Sequence, residues 1–363
     1  MTRITPKPGI MEIDLYVSGE SKLAGHDDVL KLSSNENPLG CSPAAATAFA
    51  EAAGNLHRYP STDHAELRQA IADVHGLDAD RIICGVGSDE ILQFVTYAFA
   101  AQGDEIITTE HGFSMYPILA HMVGAVPVTV AEVDRRIDVD AILAAVTDRT
   151  RVVFIANPAN PTGTMLSADE LQRLARGLPE NVVLVHDGAY TEFAAGFDGG
   201  RSLVDQYPNV VMTRTFSKIH GLGGLRIGWG YAQRPIIDVL NRLRQPFNLS
   251  NAQIAAASAA IRDTAFTEHC ATLNAQLRDR MRNSLIQMGI ACDESFANFV
   301  LARFADADEA AAADAALRAE GILVRRVTGY GFPAALRITV GDEDGTNRVL
   351  DCLGRFMQDR RPK

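Results

Sequence analysis

Lys218 is the residue whose placement most needs a chemical reason. The chain holds five lysines against 29 arginines, and Lys7, Lys22, Lys31 and Lys363 all lie near the termini. Lys218 alone is interior, in "TRTFSKIHGLGGLRIGWG" (213–230), between a β-branched, aromatic run and a glycine-rich stretch. Most lysines are solvated surface charges. A partly desolvated primary amine near other cations has a lowered pKa, however, and can form a Schiff base. Arg226, eight residues on, offers a planar fork suited to a phosphate.

Three more stretches place polar groups directly after apolar runs. In "ICGVGSDE" (83–90), Gly85 and Gly87 permit a tight turn and Ser88 is placed to N-cap the next helix, leaving N–H groups that form an anion site. An ordinary glycine turn with a serine cap would have the same sequence. As a nicotinamide fingerprint it is broken, since the third glycine is missing. "IANPANPTG" (155–163) ends a strand in a rigid loop that holds the Asn160 amide. "VHDGAYTEF" (185–193) puts Asp187 at the end of a continuous apolar run, with Tyr190 three residues on. A carboxylate there must be solvated, paired or bound to a cation, because a lone buried charge is too costly. A pyridinium N–H would serve; so, in isolation, would a helix cap. Together these groups suit pyridoxal 5′-phosphate, which needs a Schiff-base lysine, a partner for its ring nitrogen, a phosphate cradle and a stacking face.

The elements that must position these groups can be read from texture. From about residue 80 to 232, short β-rich runs alternate with amphipathic stretches, the pattern of a mostly parallel sheet covered by helices. "VVFIA" (152–156) and "VVLVH" (182–186) are apolar almost throughout, as central strands buried on both faces should be. In such sheets ligands bind beyond the carboxyl ends of the strands. From about 251 the pattern changes: an alanine-rich helix, a long amphipathic stretch near 266–288, a second alanine-rich helix within 305–319, and strands in "FVLARF", "ILVRRV" and "ALRITVG". The fold class expected is α/β, a large domain with a mostly parallel sheet plus a smaller α+β domain. The boundaries are expected at 1–32 for an N-terminal segment packing with the small domain, 33–245 for the large domain and 246–363 for the small one.

The totals exclude other classes. At 363 residues, one core is not expected to hold the whole chain. A net charge of −11 with no basic stripe argues against nucleic acid as a partner. No apolar stretch approaches the ~18 residues of a membrane span, and "MTRITPKPGIMEIDLY" has no signal-peptide core. The cysteines (Cys41, Cys84, Cys270, Cys292, Cys352) are scattered, odd in number and without a CxxC pair. Neither a disulfide framework nor a metal site is expected, and reduced thiols fit a cytoplasmic location.

Through nearly its whole length the chain resembles the fold-type I, aspartate-aminotransferase-like pyridoxal-phosphate enzymes, and most closely the histidinol-phosphate aminotransferase subgroup. The likeness is carried by "LSSNENPLG" (32–40), "RYPSTDHAELRQAIA" (58–72), "GVGSDE" (85–90), "HGFSMY" (111–116), "NPANPTG" (157–163), "DGAY" (187–190), "TFSKIHGLGGLRIGW" (215–229) and "LRITVG" (336–341). The resemblance implies that Lys218 binds the cofactor aldehyde, that Asp187 pairs with its ring nitrogen, and that Asn160 and Tyr190 bond its hydroxyl. Phe113 would stack on the ring, while Gly87, Ser88, Asp89, Thr215, Ser217 and Arg226 would bracket the phosphate. It further implies a homodimer in which Tyr59 reaches the other subunit's site. Arg337, Arg325, Tyr16 and Asn37 match residues that hold an amino donor such as histidinol phosphate, with 2-oxoglutarate as acceptor. Phe113 replaces a common tyrosine, Gly188 a common glutamate and Ala159 a common asparagine, changes that bear on pocket shape rather than on catalytic groups.

An aromatic amino-acid aminotransferase is the nearest rival, since a pocket for imidazole can admit phenyl rings. A phosphorylated-amino-acid decarboxylase is a second. A pyridoxal-phosphate transcription regulator would need an N-terminal helix-turn-helix domain, for which the residues before Leu32 are too few. A nicotinamide dehydrogenase leaves Lys218 and Asp187 unexplained.

Overall fold

The structure, a computed structural model, describes residues 4–15 and 19–360. Strand β1 (Leu30–Lys31) and helices α1 (Pro43–Ala52) and α2 (Ala65–His75) precede the main sheet. There follow β2 (Ile82–Gly85), α3 (Ser88–Phe99), β3 (Glu105–Thr109), α4 (Met115–Val123), β4 (Val126–Val130), α5 (Val139–Ala145), β5 (Thr150–Ala156), α6 (Ala168–Gly177), β6 (Val183–Asp187), α7 (Arg201–Gln206), β7 (Val210–Thr215), β8 (Gly228–Ala232) and α8 (Arg234–Leu243). The seven strands lie in the order β2-β8-β7-β6-β5-β3-β4, and only β8 runs against its neighbours. This is the α/β sheet that the alternating texture predicts.

The sheet is buried on both faces because its central strands carry no polar alternation. On β5 and β6, Val152, Phe154, Val183 and Val185 enter the core on the α3, α4 and α8 side. Val153, Ile155 and Leu184 enter the opposite core, which α2, α5, α6 and α7 help to close. Side chains alternate along a strand, so the face taken by each residue at a strand end follows from its parity.

The C-terminal part contains α9 (Asn251–Arg262), α10 (Thr264–Met288), β9 (Ala291–Cys292), β10 (Phe299–Arg303), α11 (Ala307–Ala319), β11 (Ile322–Leu323), β12 (Arg325–Val327), β13 (Phe332–Thr339) and α12 (Glu343–Arg360). An antiparallel sheet β12-β13-β10-β9 and helices α10, α11 and α12 enclose a separate core that includes Leu32, Met281, Val300, Leu317, Ile338 and Val349. β1 pairs in parallel with β11, Leu30 opposite Ile322. Among the described residues no helix is long and apolar enough to cross a membrane.

Two expectations need correcting. Helix α9 lies beyond residue 245 yet packs on α1 and α2, and its Ile254, Ala256, Ala257, Ala260 and Ile261 belong to the core of the large sheet. Its alanines allow that close approach, and the change of core falls at Asp263, which caps α10 by accepting from the Phe266 N–H at 3.1 Å. The run "ILVRRV" is two strands, since β11 pairs with β1 while β12 turns to pair with β13.

Phe154 is fully buried and stacks on Tyr116 with ring centroids 4.9 Å apart and an interplanar angle of 8°. Phe154→Ala is expected to cost about 3–5 kcal/mol of stability, the usual penalty for emptying an aromatic core site. Denaturant unfolding of the ligand-free protein measures it.

Candidate active site

The carboxyl ends of β2, β3, β5, β6 and β7 open into one cavity of about 460 Å³. Parity aims the polar groups: Asp187 follows Val183 and Val185, and Thr213 follows Val211, so both face the α3 and α4 layer. Asp187 is 4% exposed. Its Oδ2 accepts from the Tyr116 hydroxyl at 2.9 Å and its Oδ1 from Thr213 Oγ1 at 3.2 Å. It caps no helix. Burial pushes its pKa up to about 6, against the pull of the Tyr116 hydrogen bond. A buried carboxylate so perturbed at a cavity wall is what a cationic ring N–H would satisfy.

Lys218 follows β7 on the turn to β8 and projects into the same cavity. Its Nζ donates to the Ser34 carbonyl at 3.5 Å and lies 5.8 Å from the centroid of the Tyr190 ring. Burial, and then the Arg337 guanidinium, lower its pKa to about 8. The neutral form of such an amine, the form a nucleophile needs, is a minority near physiological pH but far more populated than in an ordinary lysine. Tyr190 is itself fixed, edge-on to Phe299 at 5.2 Å with its hydroxyl accepting from Asn35 Nδ2 at 2.9 Å.

A phosphate cradle forms where β2 meets α3. Ser88 is the first helical residue and Gly87 the cap, not Ser88 as the sequence suggests; Gly87 adopts the positive φ of 79°. The leading N–H groups of a helix have no intrahelical partner and bind anions. Glu90 takes up a neighbouring donor instead, accepting from the Val86 N–H at 2.7 Å. Arg226 donates to Asp89 Oδ2 at 3.1 Å and to Ser217 Oγ at 3.2 Å, which brings its guanidinium to the cradle. The space depends on glycine: a Cβ on Gly87 would lie 2.8 Å from Arg226 Nη2, and one on Gly228 would lie 2.2 Å from the Ser88 nitrogen. Thr215 closes the floor, its hydroxyl donating to the Ile227 carbonyl at 3.3 Å and accepting from the Ser217 N–H at 3.1 Å.

Strands β12 and β13 form the opposite wall. Arg337 donates to Asn160 Oδ1 at 2.6 Å and to the Ser33 carbonyl at 3.0 Å. Arg325 lies directly across from Arg337 in the β12–β13 register, and both line the cavity.

Lys218, Asp187, Tyr190, Ser88, Asp89, Phe113, Asn160, Thr215, Ser217, Arg226, Arg325 and Arg337 all line this cavity. Gly87 shapes the cradle from behind. Asn37 is not in the cavity: its amide donates to the Ile219 carbonyl at 2.7 Å, steadying the turn that carries Lys218. Tyr59 also lies outside, 81% exposed and stacked on Phe247 at 4.5 Å. Tyr16 falls outside the described residues. The sequence reading missed Tyr116, Thr213, Asn35 and Tyr330; Tyr116 and Asn35 stood inside quoted motifs, but no spacing argument reveals a hydrogen bond across 71 or 155 residues.

A deep carboxylate, a lysine, a hydroxyl-bearing wall and an anion cradle at the ends of parallel strands define a site that could hold pyridoxal phosphate. The family described as aminotransferase class I and II matches residues 27–353, and the chain belongs to it. The histidinol-phosphate aminotransferase of Ruegeria pomeroyi is 62% identical over 99% of this chain and 100% of its own length. The crystal structure of the Sinorhizobium meliloti histidinol-phosphate aminotransferase in complex with pyridoxal-5′-phosphate superposes with a TM-score of 0.90 at 28% identity, covering 99% of each chain. Thermus thermophilus aspartate aminotransferase shares the fold, with a TM-score of 0.79 at 21% identity over 91% of this chain and 92% of its own.

Two pH effects follow. A carboxyl whose pKa is raised on folding supports the fold below its unfolded value and loses that support as pH rises through about 6. Ligand-free Asp187→Asn should therefore melt above wild type at pH 8, with the gap closing toward pH 4. Incorporation of pyridoxal phosphate into ligand-free wild type should accelerate with pH through a midpoint near 8, where half of the Lys218 amine is neutral, and level off about a unit above it. Stopped-flow absorbance at fixed cofactor concentration measures it, with Lys218→Ala giving no protein-bound band.

Proposed function

We propose that the chain transfers the amino group of histidinol phosphate to 2-oxoglutarate, giving imidazole acetol phosphate and glutamate, as the transaminase of histidine biosynthesis. The observation that carries the reading is the cavity of about 460 Å³ in which Lys218 and Asp187 meet a pair of facing arginines. The 62% identity to a protein named histidinol-phosphate aminotransferase supports this donor over an aromatic amino acid.

Pyridoxal phosphate, when bound, supplies an aldehyde carbon that accepts amino groups and a ring that takes up the electron pair left on the substrate carbon. Lys218 would hold the group covalently and, once released, move the proton from the substrate α-carbon by its neutral Nζ. Asp187 would keep a proton on the ring nitrogen. Asn160 and Tyr190 would orient the ring through its hydroxyl, with Phe113 against its face, excluding water. Gly87, Ser88, Thr215, Ser217 and Arg226 would hold the phosphate. Asp89 contributes by fixing Arg226, since its own carboxylate would repel that anion. Arg325 and Arg337 would bind the donor's phosphate and, in the second half-reaction, a carboxylate of 2-oxoglutarate.

The same reading makes the enzyme a cytoplasmic homodimer. The partner subunit's Tyr59 would complete each cavity, which accounts for an aromatic side chain left on the surface beside half-exposed Phe247. It also divides the chain into a segment before β1, a large domain that extends through α9 and a small domain from α10 onward.

A donor panel tests the assignment: histidinol phosphate should give a kcat/KM at least about a hundredfold above phenylalanine or tyrosine, the worth of a charge-paired phosphate. Preference for an aromatic donor would refute it. Arg325→Ala should raise KM for histidinol phosphate roughly tenfold or more, with a smaller effect on kcat, because it removes binding present before and during the reaction.

A further inference from the structure

Tyr116, in the first turn of α4, touches two parts of the site at once. Its hydroxyl donates to Asp187 Oδ2 at 2.9 Å. Its ring lies flat on Phe154 at 4.9 Å and meets Phe113 edge-on at 5.7 Å and 89°. The side chain is 1% exposed, so neither contact is free to drift. Phe154 comes from β5 and Asp187 from β6, and these strands are hydrogen-bonded neighbours with Ala156 opposite Asp187. The hydroxyl is therefore held by a ring clamped to the same sheet that carries its acceptor.

We propose that Tyr116 is a positioning residue for the transamination, fixing the plane and charge of the Asp187 carboxylate with its hydroxyl and the lean of Phe113 with its ring. This rests on the assignment of Asp187 as the partner of the cofactor nitrogen. A carboxylate at the end of a strand can rotate about its last bond, and rotation would turn its free lone pairs away from the cavity. Tyr116 on one oxygen and Thr213 on the other pin it, leaving the remaining lone pairs for a ring N–H. The donated hydrogen bond also favours the ionised form, opposing the effect of burial. A neutral Asp187 would hold the nitrogen less tightly. Phe113 has no hydroxyl of its own, so packing alone sets its angle, and the edge of Tyr116 is part of that packing.

The test is a double-mutant cycle read by the equilibrium dissociation constant of pyridoxal phosphate, with kcat and KM measured alongside. Tyr116→Phe keeps the ring and its stack, so its unfolding midpoint should stay close to wild type. Against the wild-type background it should weaken cofactor affinity roughly tenfold, the worth of a hydrogen bond to a charged group. It should lower kcat more than it changes KM for the donor. In an Asp187→Asn background the same substitution should change affinity less than about twofold, because the group through which it acts no longer carries charge. An equal loss in both backgrounds, or no loss in wild type, would overturn the proposal. The wild-type arm tests the underlying cofactor assignment by itself.

Discussion

The structure turns on one buried carboxylate. Asp187 ends the central strand of a sheet that is apolar on both faces, and burial there penalises its charged form. Two neutral donors, Tyr116 and Thr213, hold it without discharging it. That arrangement is poor for stability and good for binding: a protonated ring nitrogen brought to it gains what the fold has withheld. Lys218 shows the same bias with opposite sign, an amine kept from its full charge by burial and by Arg337. Under the proposed function the first group would pair with a cation and the second act as a nucleophile, and the cavity between them suits a ring that offers both partners.

The other contacts locate that ring. The cradle at the start of α3 is fixed by backbone, through a glycine with positive φ and the close approach of β8 at Gly228. The opposite wall comes from β12 and β13, and the two walls are tied by hydrogen bonds and by a shared apolar cluster in which Tyr190, Phe193 and Ile219 meet Cys270, Ala297 and Phe299. Arg337 reaches Asn160, and Asn35 links Thr339 to Tyr190. Under the proposed function, a substrate anion drawn to Arg325 and Arg337 would thereby be presented to the groups at the strand ends. Recognition would then fall to β12 and β13 and cofactor chemistry to the ends of the parallel strands, with Asn160 and Tyr190 between them.

Much of this could be read from sequence because the signals are local. Continuous apolar runs marked β5 and β6, and Asn160 and Asp187 at or beyond their ends line the cavity. Scarcity marked Lys218. Helix α11 and strands β10 and β13 also fell within the stretches whose texture marked them. What was missed depends on distance. Tyr116 meets Asp187 across 71 residues, and Asn35 meets Tyr190 across 155. The boundary at 245 failed because composition changes at α9, whereas its alanine face still packs on α1 and α2. Asn37 was placed in the substrate site by its motif, but its amide is spent on the Ile219 carbonyl. Ser88 was expected as a cap, and the glycine before it takes that position because only it adopts the required φ.

The most direct measurement is to load the purified protein with pyridoxal phosphate, reduce it with borohydride and map the modified peptide by mass spectrometry. The account predicts one pyridoxyl adduct per chain, on the tryptic peptide that contains Lys218 and on no other lysine. An adduct on Lys31 or Lys22, or none at all, would contradict it.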